Sequence, residues 1–127
     1  MAYEGSQITI GTLTAAADLS GKQYYFVKLA SATTVNVCSA VTDKPIGVLQ
    51  NTPTSGQAAE VTLFGISKIN LDGTTVAGDL LGTAADGQAA VYTTTDTTKY
   101  QCGQAIEAGA ANTVATAFIN ITNTRFN

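Results

Sequence analysis

Short stretches in which apolar and polar residues alternate recur along this chain, and most are closed by glycine, asparagine, aspartate or proline. A period of two sends successive side chains to opposite faces of an extended strand, whereas a helix needs apolar residues every three to four positions. No segment sustains the helical period beyond two turns. The composition points the same way. Of 127 residues, 21 are threonine, 20 alanine and 12 glycine. Threonine favours the pleated surface of a strand, and glycine supplies tight turns.

Read in order, Gln7-Ile8-Thr9-Ile10 is a half-buried strand or a leading arm. Tyr24 to Leu29 is a stronger strand, with Tyr25, Val27 and Leu29 on one face and Tyr24, Phe26 and Lys28 on the other. Thr33 to Cys38 pairs back on it as a hairpin. Lys44 to Gln50 follows, with Pro45 suited to a strand's first position. A turn over Thr52 to Gly56 leads to Glu60–Phe64, and Gly65 is expected to be a bend or bulge that shifts the apolar parity before Ile69 and Leu71. Asp72-Gly73 and Asp86-Gly87 have hairpin-turn chemistry. They flank Asp79–Thr83, and Gln88 to Tyr92 pairs back on it. After the threonine-rich loop Thr93 to Thr98, a last hairpin joins Tyr100–Glu107 to Val114–Ile121, and the tail Thr122 to Asn127 is polar except for Phe126. Gly47–Leu63 and Gly103–Ile119 echo one another weakly as two hairpins.

The expected fold is therefore all-β. It is one small antiparallel barrel or sandwich of about nine or ten short strands with an N-terminal arm. Residues 1–23 hold the arm and first strand, and residues 24–127 the body. A chain of this length buries roughly two thirds of its unfolded surface, so its core needs no metal or disulfide staple.

The chemistry is sparse. There is no histidine, which removes the commonest general base and metal ligand and most triad arrangements. Only 12% of residues are charged, the net charge is −3, and the six cations are scattered. Phosphate backbones demand clustered cations, so nucleic acid is not an expected partner. No apolar run approaches the length of a membrane span. Met1 to Gly5 lacks a signal peptide, so synthesis in a cytoplasm is expected. Cys38 and Cys102 lie 64 residues apart and without metal-ligand spacing. They are either two reduced, partly buried thiols or a disulfide. Asp72, Asp79 and Asp86 are spaced by seven, but lack the dense oxygen ligands of a calcium loop and read as turn residues. Tyr3, Tyr92 and Tyr100 suit core or interface packing better than a sugar platform. No enzyme activity, cofactor or metal is expected.

Four backbone motifs carry a resemblance. They are Lys44-Pro45-Ile46-Gly47-Val48-Leu49-Gln50, the Thr52 to Gly56 turn, Glu60-Val61-Thr62-Leu63-Phe64-Gly65, and Ala77-Gly78-Asp79-Leu80-Leu81. With the closing hairpin from Gly103 to Ile119, they resemble the head decoration proteins of tailed bacteriophages over residues 24 to 121. The resemblance implies a small β-barrel or β-tulip-like sandwich without catalytic residues. Such a protein is a cement protein, added to the outer surface of the virion capsid after the shell expands, over junctions between major capsid subunits. The implied partners are the phage major capsid protein and further copies of the chain, as a homotrimer or sometimes a dimer.

On this reading the arm grips the shell through Tyr3, Gln7, Ile8, Ile10 and Leu13. Residues 7 to 13 would add as a strand to a capsid sheet edge, with Ile8 and Ile10 setting register. The alternative is that this segment is the first strand of the domain's own sheet. A competing function is a tail, head-fibre or adhesin module that binds a host glycan or protein. A β-module of a cellular enzyme complex is a third, and the chain's own Met1 and missing linker argue against it.

Overall fold

The computed structural model describes residues 2–93 and 95–124, with the backbone alone at 123 and 124. Met1, Thr94 and residues 125–127, Phe126 among them, lie outside the described residues, while 122–124, read above as tail, continue the last strand. The described chain is all β, in nine strands: β1 (Gln7–Ala15), β2 (Phe26–Leu29), β3 (Thr34–Val37), β4 (Gly47–Leu49), β5 (Ala58–Asn70), β6 (Leu80–Thr83), β7 (Ala89–Tyr92), β8 (Gln101–Ala105) and β9 (Val114–Thr124).

Hydrogen bonding links them in the order β1-β3-β2-β4-β5-β9-β8-β6-β7, and β1 also pairs with β5. That extra pairing closes five strands into a ring, β1-β3-β2-β4-β5. The remaining strands extend from the far half of β5 as a second antiparallel layer. All pairings are antiparallel except β1 with β3, where Thr14 and Ala15 face Thr34 and Val35. Residues 7 to 13, read above as either a capsid-binding arm or the first strand of the domain's own sheet, are paired with β5 from Gly65 back to Ala59 and complete the ring, as the second of these readings has it.

Two apolar clusters follow from this arrangement. Leu13, Ala15, Val27, Val35, Leu49, Ala59 and Val61 fill the ring. The second cluster joins Phe26, Cys38 and Val48, on the ring's outside, to Ile69, Leu81, Ala89, Cys102, Ala115, Ala117 and Ile119 of the second layer. A strand between two cores has no solvent face, so the neighbours Phe26 and Val27, and likewise Val48 and Leu49, are all fully buried.

Several local expectations are corrected. The strand expected from Tyr24 begins at Phe26, because Tyr24 sits at φ 67 in a turn whose backbone bonds to Leu49 and Asn70. Pro45 precedes β4 rather than starting it. Asp72-Gly73 is a bend and not a hairpin turn, since β5 pairs with β9 and not with β6. The irregularity expected at Gly65 falls two residues earlier: β1 pairs Ile8 with Phe64 and Thr9 with Thr62, so Leu63 is skipped. The buried apolar positions keep their odd numbers across it, Ala59 and Val61 before and Ile69 after. Further register shifts fall between Ile10 and Leu13 and between Gln101 and Gly103. The Asp86-Gly87 hairpin between β6 and β7 and the closing hairpin of β8 and β9 are as expected.

Gly65 matters for another reason. Its φ is +121, and a Cβ there would collide with the Ser6 carbonyl and Gln7 Cα as β1 arrives to close the ring. Gly11 has open space around it. Gly65→Ala should therefore lower the stability measured by urea unfolding by about 2–3 kcal/mol. Gly11→Ala should stay within about 0.5 kcal/mol of the parent.

Cys38 and Cys102 are both free and fully buried in the cluster between the layers. Burial pushes each thiol up to about 12, with Asp43 adding to the rise at Cys38 and Cys38 adding to it at Cys102. The nucleophilic thiolate is therefore scarce. In native protein at about pH 8 iodoacetamide should label neither cysteine, and in urea it should label both, as read by intact mass.

Candidate functional site

Two exposed apolar surfaces stand out on this body. The first crosses β1, β5 and β9 on the outer side of the second layer. Ile8 pairs with Phe64, and Phe64 packs edge-on against Phe118 of β9, with ring centroids 5.2 Å apart and planes at 83°. Ile8 is 59% exposed and Phe64 45%. The strip exists because Gly65, Ser67 and Ile69 turn inward from the second half of β5, which leaves Phe64 outside. Beside it the leading segment lies over β9. The Tyr3 amide donates to Thr116 Oγ1 at 2.7 Å, that hydroxyl donates back to the Tyr3 carbonyl, and the tyrosine is 48% exposed.

The second surface is an open groove of about 700 Å³ where β5 leaves β9 and joins β4. Leu29, Pro45, Ile46, Leu63 and Ile121 line it, with Lys28, Asp43 and Lys44 at its rim. Leu63 is passed over in the pairings of β5 with β1, β4 and β9, so the handover between partners leaves its side chain to the groove. Leu29 is 51% exposed.

One rim wall is built by Asp43. Its Oδ2 accepts from Lys28 Nζ at 2.8 Å and from the amides of Ser39 and Ala40 at 2.8 and 3.1 Å. Burial alone would raise this carboxyl. The hydrogen bonds from Lys28, Ser39 and Ala40, with the lysine's charge, outweigh it and hold the group below the ordinary carboxylate value.

The five residues expected to contact a partner divide by direction. Tyr3 and Ile8 face solvent. Ile10 packs onto the ring core, and Leu13 is buried within it at 9% exposure, so neither presents a surface in this fold. Gln7 is a structural clamp: its amide donates to the Ile66 carbonyl at 2.8 Å, and its Oε1 accepts from the Thr9 and Thr62 hydroxyls. Sequence reading missed Phe64, Phe118, Leu29, Ile46, Leu63 and Ile121 as surface residues. Each sits in an apolar alternation that looks like core until the partner strands are known.

Other candidates resolve into packing and turns. Tyr92 is buried and Tyr100 packs against the second cluster. Asp79 and Asp86 accept from the amides of Val76 and Gln88 within their own turns. Among the described residues no three acidic, cysteine or histidine side chains are grouped to hold a metal ion, and no helix is long and apolar enough to cross a membrane.

Because the folded pKa of Asp43 is lowered, its contribution is full above the ordinary carboxylate pKa of about 4 and is lost as pH falls through the folded value. Asp43→Asn should cost about 1 kcal/mol at neutral pH. The gap to the parent should narrow and close as pH is taken below the ordinary carboxylate value in a series of urea melts.

Neither a protein-family model nor a curated protein matches the sequence. Among solved structures the chain is similar to the N base of the head fiber gp8.5 of bacteriophage phi29, with a TM-score of 0.65 over 96% of this chain and 99% of that one. Sequence identity is 16%, so what the two share is the fold.

Proposed function

We propose that this protein is a structural component of a phage head: a decoration, or cement, protein that binds the exterior of the expanded capsid at junctions between major capsid subunits and stabilises it. The observation that carries the reading is the end-to-end fold likeness to a base of a phage head fibre. The resemblance of the Gly47–Leu49 and Glu60–Gly65 strands to head decoration proteins supports it independently of that likeness.

The physics suits the role. Binding a shell needs a rigid body and an apolar contact but no reactive group, and Ile8, Phe64 and Phe118 offer such a contact. Self-association as a homotrimer multiplies weak contacts, and linked sites gain about 10²–10⁴ in avidity without any new interaction. Low charge limits repulsion between copies crowded on one shell. The protein acts without catalysis, cofactor, nucleic acid or membrane.

A second reading is favoured by the neighbour's own nature: the chain is the base of a head fibre, from which an adhesive part projects toward a host glycan or protein. The two separate in a map of the parent particle, where cement gives density flush with the shell and a base gives a projection above it. Density absent from the head exterior would end both readings.

Purified protein added to expanded heads that lack it should co-sediment with them and raise the temperature at which they release DNA. Ile8→Asp and Phe64→Asp should each weaken that binding about tenfold. Circular dichroism should stay unchanged, because both side chains face solvent.

A further inference from the structure

The groove beside Leu63 has a chemistry that the outer strip lacks. Of the described cations, Lys28 is paired with Asp43 at 2.8 Å and Lys99 with Asp96 at 3.1 Å. Lys22 and Lys68 lie over the rings of Tyr25 and Tyr24, at 4.8 and 5.8 Å. Among the described residues Lys44 has neither a carboxylate nor a ring beside it. It is exposed, and it stands on the rim of the apolar groove. The chain as a whole, at net charge −3, repels an acidic partner, so a local positive charge is needed to receive one. The groove thus joins an apolar floor to one uncommitted positive charge, and the Asp43 clamp holds the loop that carries that charge.

We propose that this groove is a docking site for an extended acidic-apolar peptide segment of the shell protein. Apolar side chains of the segment seat on Leu29, Ile46, Leu63 and Ile121, and one of its carboxylates pairs with Lys44. This rests on the head-surface reading and adds to it the partner's chemistry. The volume, about 700 Å³, is within the range of sites that hold a defined ligand. Charge complementarity fixes the segment's direction, because Lys44, the one unpaired cation among the described residues, lies to one side of the floor. An apolar segment without a carboxylate would leave Lys44 unpaired and would bind in no fixed register.

The test uses the full chain on expanded heads of the parent phage. With p-benzoylphenylalanine in place of Leu29, irradiation should cross-link the protein to one shell-protein peptide that contains an aspartate or glutamate. In co-sedimentation K44E should bind about tenfold more weakly than the parent, and K44R should bind like it. Val76→Asp, an exposed change away from the groove, should also bind like the parent. Cross-links only between copies of this chain, or no cross-links together with full binding by K44E, would overturn the proposal while leaving the head reading in place. If the parent protein itself fails to co-sediment, the head reading falls and takes this partner with it.

Discussion

The architecture depends on one strand doing two jobs. β5 runs for 13 residues, which is long for a domain of this size. Its first half closes the ring against β1 and β4, and its second half starts the other layer by pairing with β9. Close backbone approach makes this possible. Gly47 lets β4 come against Thr62 where a Cβ would strike the carbonyl, and Gly65 does the same where β1 arrives. Without those contacts the ring would open along β5, and the cluster of Leu13, Val27, Val35, Leu49 and Val61 would face water.

The alanine-rich composition finds its reason between the layers. Ala89, Ala105, Ala115 and Ala117 line the second layer's inner face and meet Phe26 and Val48 from the ring. Small side chains opposite large ones let two pleated surfaces interlock without voids. Threonine has a parallel role: Thr62 is fully buried, yet its hydroxyl is bonded to Thr9 and Gln7, so its burial leaves no unpaired oxygen.

The same construction creates the surfaces proposed for binding. Since Gly65, Ser67 and Ile69 of β5 turn inward beside Ile119, Ala117 and Ala115 of β9, Phe64 is left outside, and the neighbouring strands add Ile8 and Phe118 beside it. Since β5 changes partners at Leu63, a groove opens at the seam between ring and second layer. A body whose interior is settled by two cores can present both surfaces rigidly, which lowers the ordering cost of association.

The sequence by itself determined the all-β class, most strand positions, the β2–β3, β6–β7 and β8–β9 hairpins and the turn roles of Asp79 and Asp86. Period-two alternation and turn chemistry are local properties, readable from a few neighbouring residues. Only the tertiary structure decided that residues 7 to 14 close a ring, that Tyr24 leaves the strand, and that Phe26 and Val27 are buried together. It also decided that Phe64 faces out while Leu13 faces in. Each of these depends on which distant strand supplies the partner, and on how many layers cover it. An alternating strand states that it has two faces; it does not state what covers either one.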